Sequence, residues 1–436
     1  MHPWDAGARL VVRTLAAGSV SHAEPRVAGD GVSRDRRCEM RRSLVGGLLA
    51  ITAISLPILA SPSSVVAASL RATTPIGRQL AELKGSDALA GDAVGVSVAI
   101  SGTTAVVGAP GYAKDAGRAY VYSGTAGHWE QVAELKGADT VSGDFFGYSV
   151  AISGTTAVAS APGYAKNAGR VYVFTETAKH WKQVAELKGS DTVASDYLGD
   201  SVAVSGATVL VGADGHRKNA GRAYVFAETA NGWKQAGEWR GSDTVAGDGF
   251  GYTVAVSGTS AIVGAPDHAK SAGRAYVFTR TAKGWKQVAE LKGSDTVTNN
   301  GFGVAVAISG TTAVAGAPGF ADAAGRAYVF KKAGEAWTQA SELKSVDAVA
   351  KEDFGYTVAI SGTTAVVGAP GLAKDAGRAY AFTNTANGWT QVAELKGSDT
   401  VADDYFGYSV AVSDTIAVVG ADGHANSAGR AYVLNA

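Results

Sequence analysis

Residues 146–189 read FGYSVAISGTTAVASAPGYAKNAGRVYVFTETAKHWKQVAELKG, and this stretch decides the fold. It opens with alternating larger and smaller side chains (GYSVAIS), followed by a glycine-containing turn (SGTT) and a second apolar segment (TAVASA). After a polar loop, GRVYVF is rich in the β-branched and aromatic residues that strands prefer, and WKQVAELKG alternates again. The apolar spacing of a helix is missing. The stretch therefore predicts four short antiparallel strands joined by turns.

The same pattern occurs seven times at a fixed interval of 52 residues. Its Gly-Arg dipeptide marks each copy, at Gly117-Arg118, Gly169-Arg170, Gly221-Arg222, Gly273-Arg274, Gly325-Arg326, Gly377-Arg378 and Gly429-Arg430. Four antiparallel strands repeated about every 50 residues are typical of the blades of a β-propeller. We therefore predict an all-β fold, a seven-bladed β-propeller of four-stranded antiparallel blades, over residues 77–436.

The last copy lacks its fourth strand, because the chain ends at Ala436 soon after GRAYVL. At the other end, RQLAELKG (residues 78–85) matches the fourth-strand sequence KQVAELKG but has no strands before it. We expect this N-terminal strand to pair with the C-terminal blade, which closes the ring and leaves no unpaired edge between its ends. Gly77 stands where six other copies have tryptophan, so the closing strand has one large side chain fewer.

Two short motifs mark the first and second strands of the copies. Phe-Gly begins at Phe146, Phe250, Phe302, Phe354 and Phe406, with Val94 and Leu198 in the remaining copies. Gly-Ala-Pro begins at Gly108, Gly264, Gly316 and Gly368, whereas Asp214 and Asp422 replace the proline in two copies and Ser160 replaces the glycine in another. In these motifs residues 77–436 resemble FG-GAP repeats, the blades of the integrin α-subunit propeller and of many secreted bacterial proteins. The resemblance implies the fold but leaves the activity open, because the family has many functions.

The resemblance also bears on metal binding. In integrin-type propellers some blades carry an Asp-rich calcium loop between the first and second strands, and calcium needs several oxygen ligands. Here that turn is SGTT or a close variant, and Asp414 is its only acid in any copy. We therefore predict no metal and no cofactor.

The N-terminal region has the composition of an export signal. Residues 40–68 contain a basic start, an apolar run over 44–60 and small residues before a cleavage point after Ala68, which is the pattern of a signal peptide. We interpret residues 1–39 as a non-native or disordered extension, with translation starting at Met40, and residues 69–76 as a linker. The sequence then predicts a secreted, extracellular or periplasmic, protein. An uncleaved membrane anchor is the alternative, although 17 apolar residues interrupted by Pro57 are short for a span.

Charge and cysteine content exclude several classes of function. The chain has 39 basic and 39 acidic residues, and loss of residues 1–68 would leave 31 and 34. Such a balance gives no attraction to nucleic acid or to anionic membranes. Cys38, the only cysteine, lies in the part expected to be lost, so the exported chain would have no disulfide.

Two polar positions recur in every copy, within the segments that lead from one blade to the next, and they are acidic everywhere except at Asn300. The first set is Asp87, Asp139, Asp191, Asp243, Asp295, Asp347 and Asp399, and the second is Asp92, Asp144, Asp196, Asp248, Asn300, Glu352 and Asp404. Paired carboxylates can act in acid–base catalysis. Their repetition around the ring instead favours a structural role, in which each side chain binds backbone amides of its own loop.

Positions that differ between copies are the better candidates for ligand binding. The loop between the second and third strands carries Tyr112, Tyr164, His216, His268, Phe320, Leu372 and His424. The residue after Phe-Gly, which we place on the same face, is Tyr148, Tyr252, Tyr356 or Tyr408 in four copies. Exposed rings with polar neighbours suit a carbohydrate or a protein surface. The alternative is that each ring folds back onto its own loop.

No sequence motif of catalysis, phosphate binding or zinc binding stands out. The sequence therefore favours a secreted, non-catalytic binding or adhesion propeller, which we expect to be a monomer and to recognise a glycan or an extracellular protein. One alternative is an extracellular hydrolase or lyase with its site over the central channel, for which Asp200 and Asp214 are the nearest candidates. The other is a structural scaffold without a small ligand.

Overall fold

The computed structural model of this protein describes residues 75–125, 127–178 and 180–436. The predicted extension (1–39), signal peptide (40–68) and most of the linker (69–76) lie outside the described residues. Within these ranges the chain forms 28 strands, arranged in seven four-stranded antiparallel sheets. The predicted all-β propeller with seven blades is therefore confirmed.

The strands follow the chain in the order expected from the repeat. The first is β1 (Gln79–Leu83). Blade 1 contains β2 (Val98–Ser101), β3 (Thr104–Ala109), β4 (Arg118–Thr125) and β5 (His128–Leu135). Blade 2 contains β6 (Val150–Ser153), β7 (Thr156–Ala161), β8 (Arg170–Thr177) and β9 (His180–Leu187). Blade 3 contains β10 (Val202–Ser205), β11 (Thr208–Ala213), β12 (Arg222–Thr229) and β13 (Gly232–Trp239).

The remaining blades repeat this order. Blade 4 contains β14 (Val254–Ser257), β15 (Ser260–Ala265), β16 (Arg274–Thr281) and β17 (Gly284–Leu291). Blade 5 contains β18 (Val306–Ser309), β19 (Thr312–Ala317), β20 (Arg326–Ala333) and β21 (Ala336–Leu343). Blade 6 contains β22 (Thr357–Ser361), β23 (Thr364–Ala369), β24 (Arg378–Thr385) and β25 (Gly388–Leu395). Blade 7 combines β26 (Ser409–Ser413), β27 (Ile416–Ala421) and β28 (Arg430–Asn435) with β1.

The ring closes by the predicted pairing of the two ends. Strand β1 runs antiparallel to β28, with Leu83 opposite Ala431 and Glu82 opposite Tyr432. Its backbone bonds continue beyond the strand, since the amide of Gly77 donates to the carbonyl of Asn435 at 2.7 Å. Leu83 is buried, 1 % exposed, in the cluster between blades 7 and 1. The closing strand thus supplies both the backbone partner and the apolar contact that blade 7 needs.

Each loop between the second and third strands contains one helical turn that the sequence pattern did not reveal. These turns are α1 (Tyr112–Asp115), α2 (Tyr164–Asn167), α3 (His216–Asn219), α4 (His268–Ser271), α5 (Phe320–Ala323), α6 (Leu372–Asp375) and α7 (His424–Ser427). Four residues are too few for an apolar period to show. In α2, residues 165–167 have φ between 51° and 64°, a left-handed conformation that is unfavourable for L-residues. It directs the carbonyls of Lys166 and Asn167 toward the next blade segment, where they accept from the amides of Ser195 and Tyr197.

The core lies between neighbouring blades. Phe146 is fully buried against Tyr172 and Phe174 of its own blade, with ring centroids 5.5 and 6.0 Å away, and belongs to a cluster that includes Val121 of blade 1. Gly147 follows with φ 87°, and a Cβ there would collide with a backbone carbonyl of blade 1. The Phe-Gly motif therefore joins two blades: the ring fills the space between them and the glycine allows their backbones to approach.

The first strands of all blades surround the axis of the ring. Each of them contacts the first strand of the next blade, including β26 with β2. In antiparallel blades, the loops between second and third strands and the segments that lead to the next blade emerge on one face. We call this the upper face, and we call each segment that leads to the next blade a link. The first strands begin at this face, so their first side chains surround the opening of the channel.

Candidate functional site

The first acidic set joins each link to the blade that follows it. Asp139 accepts a hydrogen bond from the hydroxyl of Tyr172, a buried residue of β8, at 2.7 Å. The equivalent bonds run from Tyr120, Tyr224, Tyr276, Tyr328 and Tyr432 to Asp87, Asp191, Asp243, Asp295 and Asp399. In blade 6, where Asp347 holds this position, burial raises the pKa of Tyr380, and the carboxylates of Glu352 and Asp347 raise it further. A tyrosine hydroxyl that would otherwise be buried without a partner is thus satisfied. The sequence did not lead us to expect these tyrosine partners.

The second acidic set binds backbone amides within its own link. Asp144 accepts from the amide of Val141 at 2.8 Å, and the same contact recurs at Asp92, Asp196, Asp248, Asn300, Glu352 and Asp404. Burial raises the pKa of Asp144 above its ordinary value, in part opposed by this hydrogen bond. The contact fixes the turn of each link at the upper face.

The tyrosines and phenylalanine in the loops between second and third strands fold back onto their own blades. The Tyr164 hydroxyl donates to Asp139 at 2.9 Å, and the guanidinium of Arg170 lies 4.3 Å from the centre of its ring. Tyr112 makes the same contacts with Asp87 and Arg118, and Phe320 lies under Arg326 at 4.1 Å. Because one ring face is covered by arginine, these side chains are less available to stack on a ligand.

The three histidines in these loops each contact both acidic sets. His216 Nδ1 lies 2.9 Å from Asp196 and its Nε2 lies 3.5 Å from Asp191. His268 lies 2.9 Å from Asp248 and 3.6 Å from Asp243, and His424 has the same distances to Asp404 and Asp399. A histidine in this position therefore connects the two acids of one link.

One group of ligand-type atoms in the described part of the chain has the spacing of a metal site. Asp191, His216 and Glu238 offer atoms that all lie within 4.8 Å of one another. Two arginines already bind this group: Arg217 Nε donates to His216 Nε2 at 3.1 Å, and Arg222 Nε donates to Glu238 at 2.6 Å. The two arginines place positive charge at His216 and Glu238 and take up the free ring nitrogen of His216, which disfavours a metal ion here.

Side chains from five blades converge at the opening of the channel on the upper face. Tyr148, Asp200, Tyr252, Tyr356 and Tyr408 come directly before the first strands, and Asp214 and Asp422 come directly after the second strands of blades 3 and 7. We call these seven residues the channel mouth. The rings of Tyr356 and Tyr408 are 5.3 Å apart. Tyr252 of blade 4 and Tyr148 of blade 2 both lie close enough to Tyr408 of blade 7 to interact with it electrostatically.

Burial dominates the electrostatics of the channel mouth. It raises the pKa of Asp200 well above the ordinary value, and the charge of Asp214 and a hydrogen bond to it act in the same direction. Ionisation of Asp200 is therefore disfavoured beside Asp214. Burial also raises the pKa of Asp422 to about 7, although two backbone amides oppose the shift. The pKa values of the four tyrosines rise for the same reason, so their hydroxyls are neutral at physiological pH.

A ring of exposed apolar side chains surrounds the channel mouth on the upper face. The links present Leu89, Val141, Val193, Val245, Val297, Val349 and Val401, which are 50–71 % exposed. The amide of each is held by the second acidic set, so the side chain lies at the outer side of a fixed turn. Sequence reasoning missed this ring, although an apolar residue at the same position of every link was visible.

The feature of the sequence that could have revealed the channel mouth is the replacement of proline by aspartate in two copies. Five copies have Pro110, Pro162, Pro266, Pro318 and Pro370, whereas blades 3 and 7 have Asp214 and Asp422. Sequence reasoning noted both replacements but did not place Asp422 with the tyrosines. In the described part of the chain, no helix has the length and apolar character needed to cross a membrane.

Comparison with known proteins agrees with this architecture. The model of the FG-GAP repeat matches seven times, over residues 78–122, 129–174, 181–226, 233–278, 285–330, 337–382 and 389–434. No curated protein matches the chain. Among solved structures, the chain is similar to Saccharomyces cerevisiae Sqt1, with 8 % identity, a TM-score of 0.48 and coverage of 83 % of this chain and 100 % of that one. Each of the seven matches covers the fourth strand of one blade and the first three strands of the next, and the chain belongs to the FG-GAP repeat family.

Proposed function

We propose that this protein is an exported, non-catalytic binding propeller that holds a protein partner on its upper face. The observation that carries the proposal is the ring of seven exposed apolar side chains, one on each link, around the channel mouth. Exposed apolar side chains that recur at one position on a single face, among polar neighbours, suit a protein-interaction site. A rigid disc that repeats the same contact seven times also combines weak individual contacts into firm binding.

A protein partner fits the upper face better than a glycan. Glycan stacking needs accessible aromatic faces, but Tyr112, Tyr164 and Phe320 each have an arginine over the ring. The valine and leucine side chains of the links offer apolar area without hydrogen-bonding groups for sugar hydroxyls. Apolar surface of this kind suits the buried centre of a protein interface.

A hydrolase or lyase is the second candidate, supported by the half-buried Asp200 and the buried Asp214. Glycoside hydrolysis uses two carboxyl groups about 5 Å or more apart, so that substrate or water can enter between them. Here the two carboxyl groups are hydrogen-bonded to each other. This contact leaves no room for a reacting group between them, so the binding function is the better supported.

The proposed function is tested by capture on the immobilised propeller from an extract of surface proteins. The variant Val141→Ser with Val193→Ser removes two apolar side chains of the links. Its matched control, Val132→Ser with Val184→Ser, changes two exposed valines on the fourth strands β5 and β9. We expect a protein that the wild type and the control retain and the link variant loses at least about tenfold, since two buried methyl-bearing side chains contribute more than 1.4 kcal/mol.

Two treatments of the extract separate the remaining functions. Protease digestion should abolish retention and periodate oxidation of sugars should leave it unchanged. Retention that survives protease but not periodate would replace the protein partner with a glycan. Equal loss in the link variant and the control, or no retention at all, would contradict binding through the upper face.

A further inference from the structure

We propose that the channel mouth binds a positively charged ammonium group, contributed by a lysine side chain of the partner. The inference deepens the proposed function: the partner supplies the lysine, while the site itself is defined by this chain's own residues. The proposal begins with Asp422, which is 4 % exposed. Its Oδ1 has no hydrogen-bond partner in the described part of the chain. A buried carboxylate oxygen without a partner is costly unless something binds it.

Among the described residues, the side-chain charges that act on the acids and tyrosines of the channel mouth come from aspartates and other tyrosines. The charges that act on Tyr148 and Tyr252 come from Asp200, Asp214, Asp267 and other tyrosines. The charge that acts on Tyr408 comes from Asp422. Elsewhere on the same face, the acids of the links are matched by arginines, as Asp295 is by Arg326 at 3.2 Å. The channel mouth is thus a site of unbalanced negative charge, which favours a cation.

The four tyrosines add a second feature that favours an ammonium group. Tyr148, Tyr252, Tyr356 and Tyr408 are half-buried around the opening. Their phenols stay neutral, so each ring face attracts a cation through its quadrupole. Calcium instead takes 6–8 oxygen ligands, roughly at 2.3–2.6 Å and from flexible loops. The three carboxylates here lie next to strands rather than in one flexible loop, so an ammonium ion fits better than a metal.

Comparison among the blades shows that these residues are not needed to build a blade. Blades 1 and 5 have Val96 and Val304 in place of the tyrosines, and five blades have proline in place of Asp214 and Asp422. The fold is the same in all seven. Blades 3 and 7 therefore carry buried carboxylates that the architecture does not require.

The experiment measures binding of small probes to the full chain by calorimetry at pH 8, where Asp422 is ionised. The probes are N-acetyl-lysine N-methylamide, pentylamine, the neutral 1-pentanol and calcium chloride. We expect the two amines to bind and the alcohol and calcium not to bind. Asp422→Asn should weaken amine binding at least tenfold, whereas the control Asp403→Asn, which removes an exposed charge from a link of the same face, should change it less than twofold.

Asp422→Pro is the second carboxylate variant, because five sister blades fold with proline at this position. It should lose amine binding as Asp422→Asn does. Tyr148→Phe should keep binding within about threefold and Tyr148→Leu should reduce it further, because only the leucine lacks the ring face.

The outcomes separate this inference from the proposed function. Binding of pentylamine alone supports an ammonium site for a free amine, and binding of both amines assigns it to a lysine side chain. Equal binding of 1-pentanol, equal loss in Asp403→Asn and Asp422→Asn, or binding of calcium in place of the amines would overturn it. If the amines fail but the link variant still loses the protein partner, the inference falls and the proposed function stands.

Discussion

At the scale of the residue, one position in each loop accepts tyrosine, histidine or phenylalanine because its surroundings satisfy each in a different way. Tyr164 reaches Asp139 with its hydroxyl, and His216 reaches Asp191 and Asp196 with its two ring nitrogens. Phe320 has no polar group, and Arg326 above it pairs with Asp295, which also accepts from Tyr328. In the blades with Tyr164, His216 and Phe320 a ring is retained while the hydrogen bonds are redistributed, whereas Leu372 fills the position in blade 6 without a ring.

Also at the scale of the residue, Asp422 should make the stability of the folded protein depend on pH. Its pKa is about 7 in the folded protein and 3.8 ordinarily, so the folded state binds this proton more tightly. The contribution of Asp422 to stability is therefore fully present below about pH 4 and is lost as the pH rises to about 7. Asp422→Asn should raise the free energy of unfolding at pH 8 by about 1–4 kcal/mol and leave it nearly unchanged at pH 4.

Denaturant unfolding of both proteins at pH 4, 6 and 8 measures this effect, with Asp403→Asn as the control that should not change the pH dependence. The Asp422→Asn variant should keep part of the pH dependence of the free energy of unfolding. Burial also raises the pKa of Asp200 and, to about 6, that of Asp353. A variant that is less stable than the wild type at pH 8 would show that Asp422 is not a buried, destabilising charge.

At the scale of the element, the ring depends on a strand contributed by the other end of the chain. Strand β1 satisfies the free edge of β28, and Arg430 Nε donates to Glu82 of β1 at 2.6 Å. The same Arg–Glu pair occurs within the other blades, for instance between Arg170 and Glu186. The closing strand thus reproduces the contacts of an ordinary fourth strand, although its connection is different.

Deletion of residues 69–84 should therefore destabilise the propeller and expose β28 to other molecules. Loss of Leu83 from the core costs about 1.5–3 kcal/mol. Each lost backbone hydrogen bond costs about 1 kcal/mol more. We expect a lower melting temperature and aggregation in size-exclusion chromatography, whereas deletion of residues 69–74 alone should leave a monomer of unchanged stability.

A graft tests the same strand from the other end. In the repeat, Ala436 corresponds to Asn384, so the missing residues correspond to TANGWTQVAELKG, residues 385–397. Adding them after Ala436 of the truncated chain should restore a soluble monomer with its blade complete. A truncated chain that stays monomeric with an unchanged melting temperature would refute the closure.

At the scale of the whole molecule, a nearly sevenfold frame carries one asymmetric feature. The links repeat their exposed apolar residue in every blade, whereas the channel mouth draws on five blades and leaves valine in blades 1 and 5. Repetition favours a broad contact and asymmetry favours one defined contact at the centre. The two together suit a partner that covers the upper face in a single orientation.

Export is a prediction for the whole chain. Protein recovered from the medium of a secreting bacterium should begin at Ser69, because small residues precede a cleavage point after Ala68. Replacing Leu48 and Leu49 with arginine should keep the protein in the cells, since it interrupts the apolar run. Deleting residues 2–39 should leave the secreted N-terminus unchanged; mass spectrometry that finds Met1 or Met40 on secreted protein would contradict cleavage at this point.

The sequence by itself determined the fold, because blade construction is local and repeated. Side-chain alternation, the turns and the 52-residue interval specify each blade, and the match between residues 78–85 and the other fourth strands specifies the closure. The identities of Tyr148, Asp200 and Tyr408 were equally visible as departures from the repeat. These are properties of single positions and of their neighbours along the chain.

Only the tertiary structure decided which of these residues meet and what surrounds them. Tyr148 and Tyr408 are 260 residues apart in the chain, and they interact because the ring closes and brings the beginnings of all first strands to one axis. Tyr164 looked like a binding residue in sequence, but Asp139 and Arg170 hold it from a link and a strand at other positions in the repeat. Burial, charge balance and the absence of a partner for Asp422 Oδ1 in the described residues likewise depend on the blades being assembled.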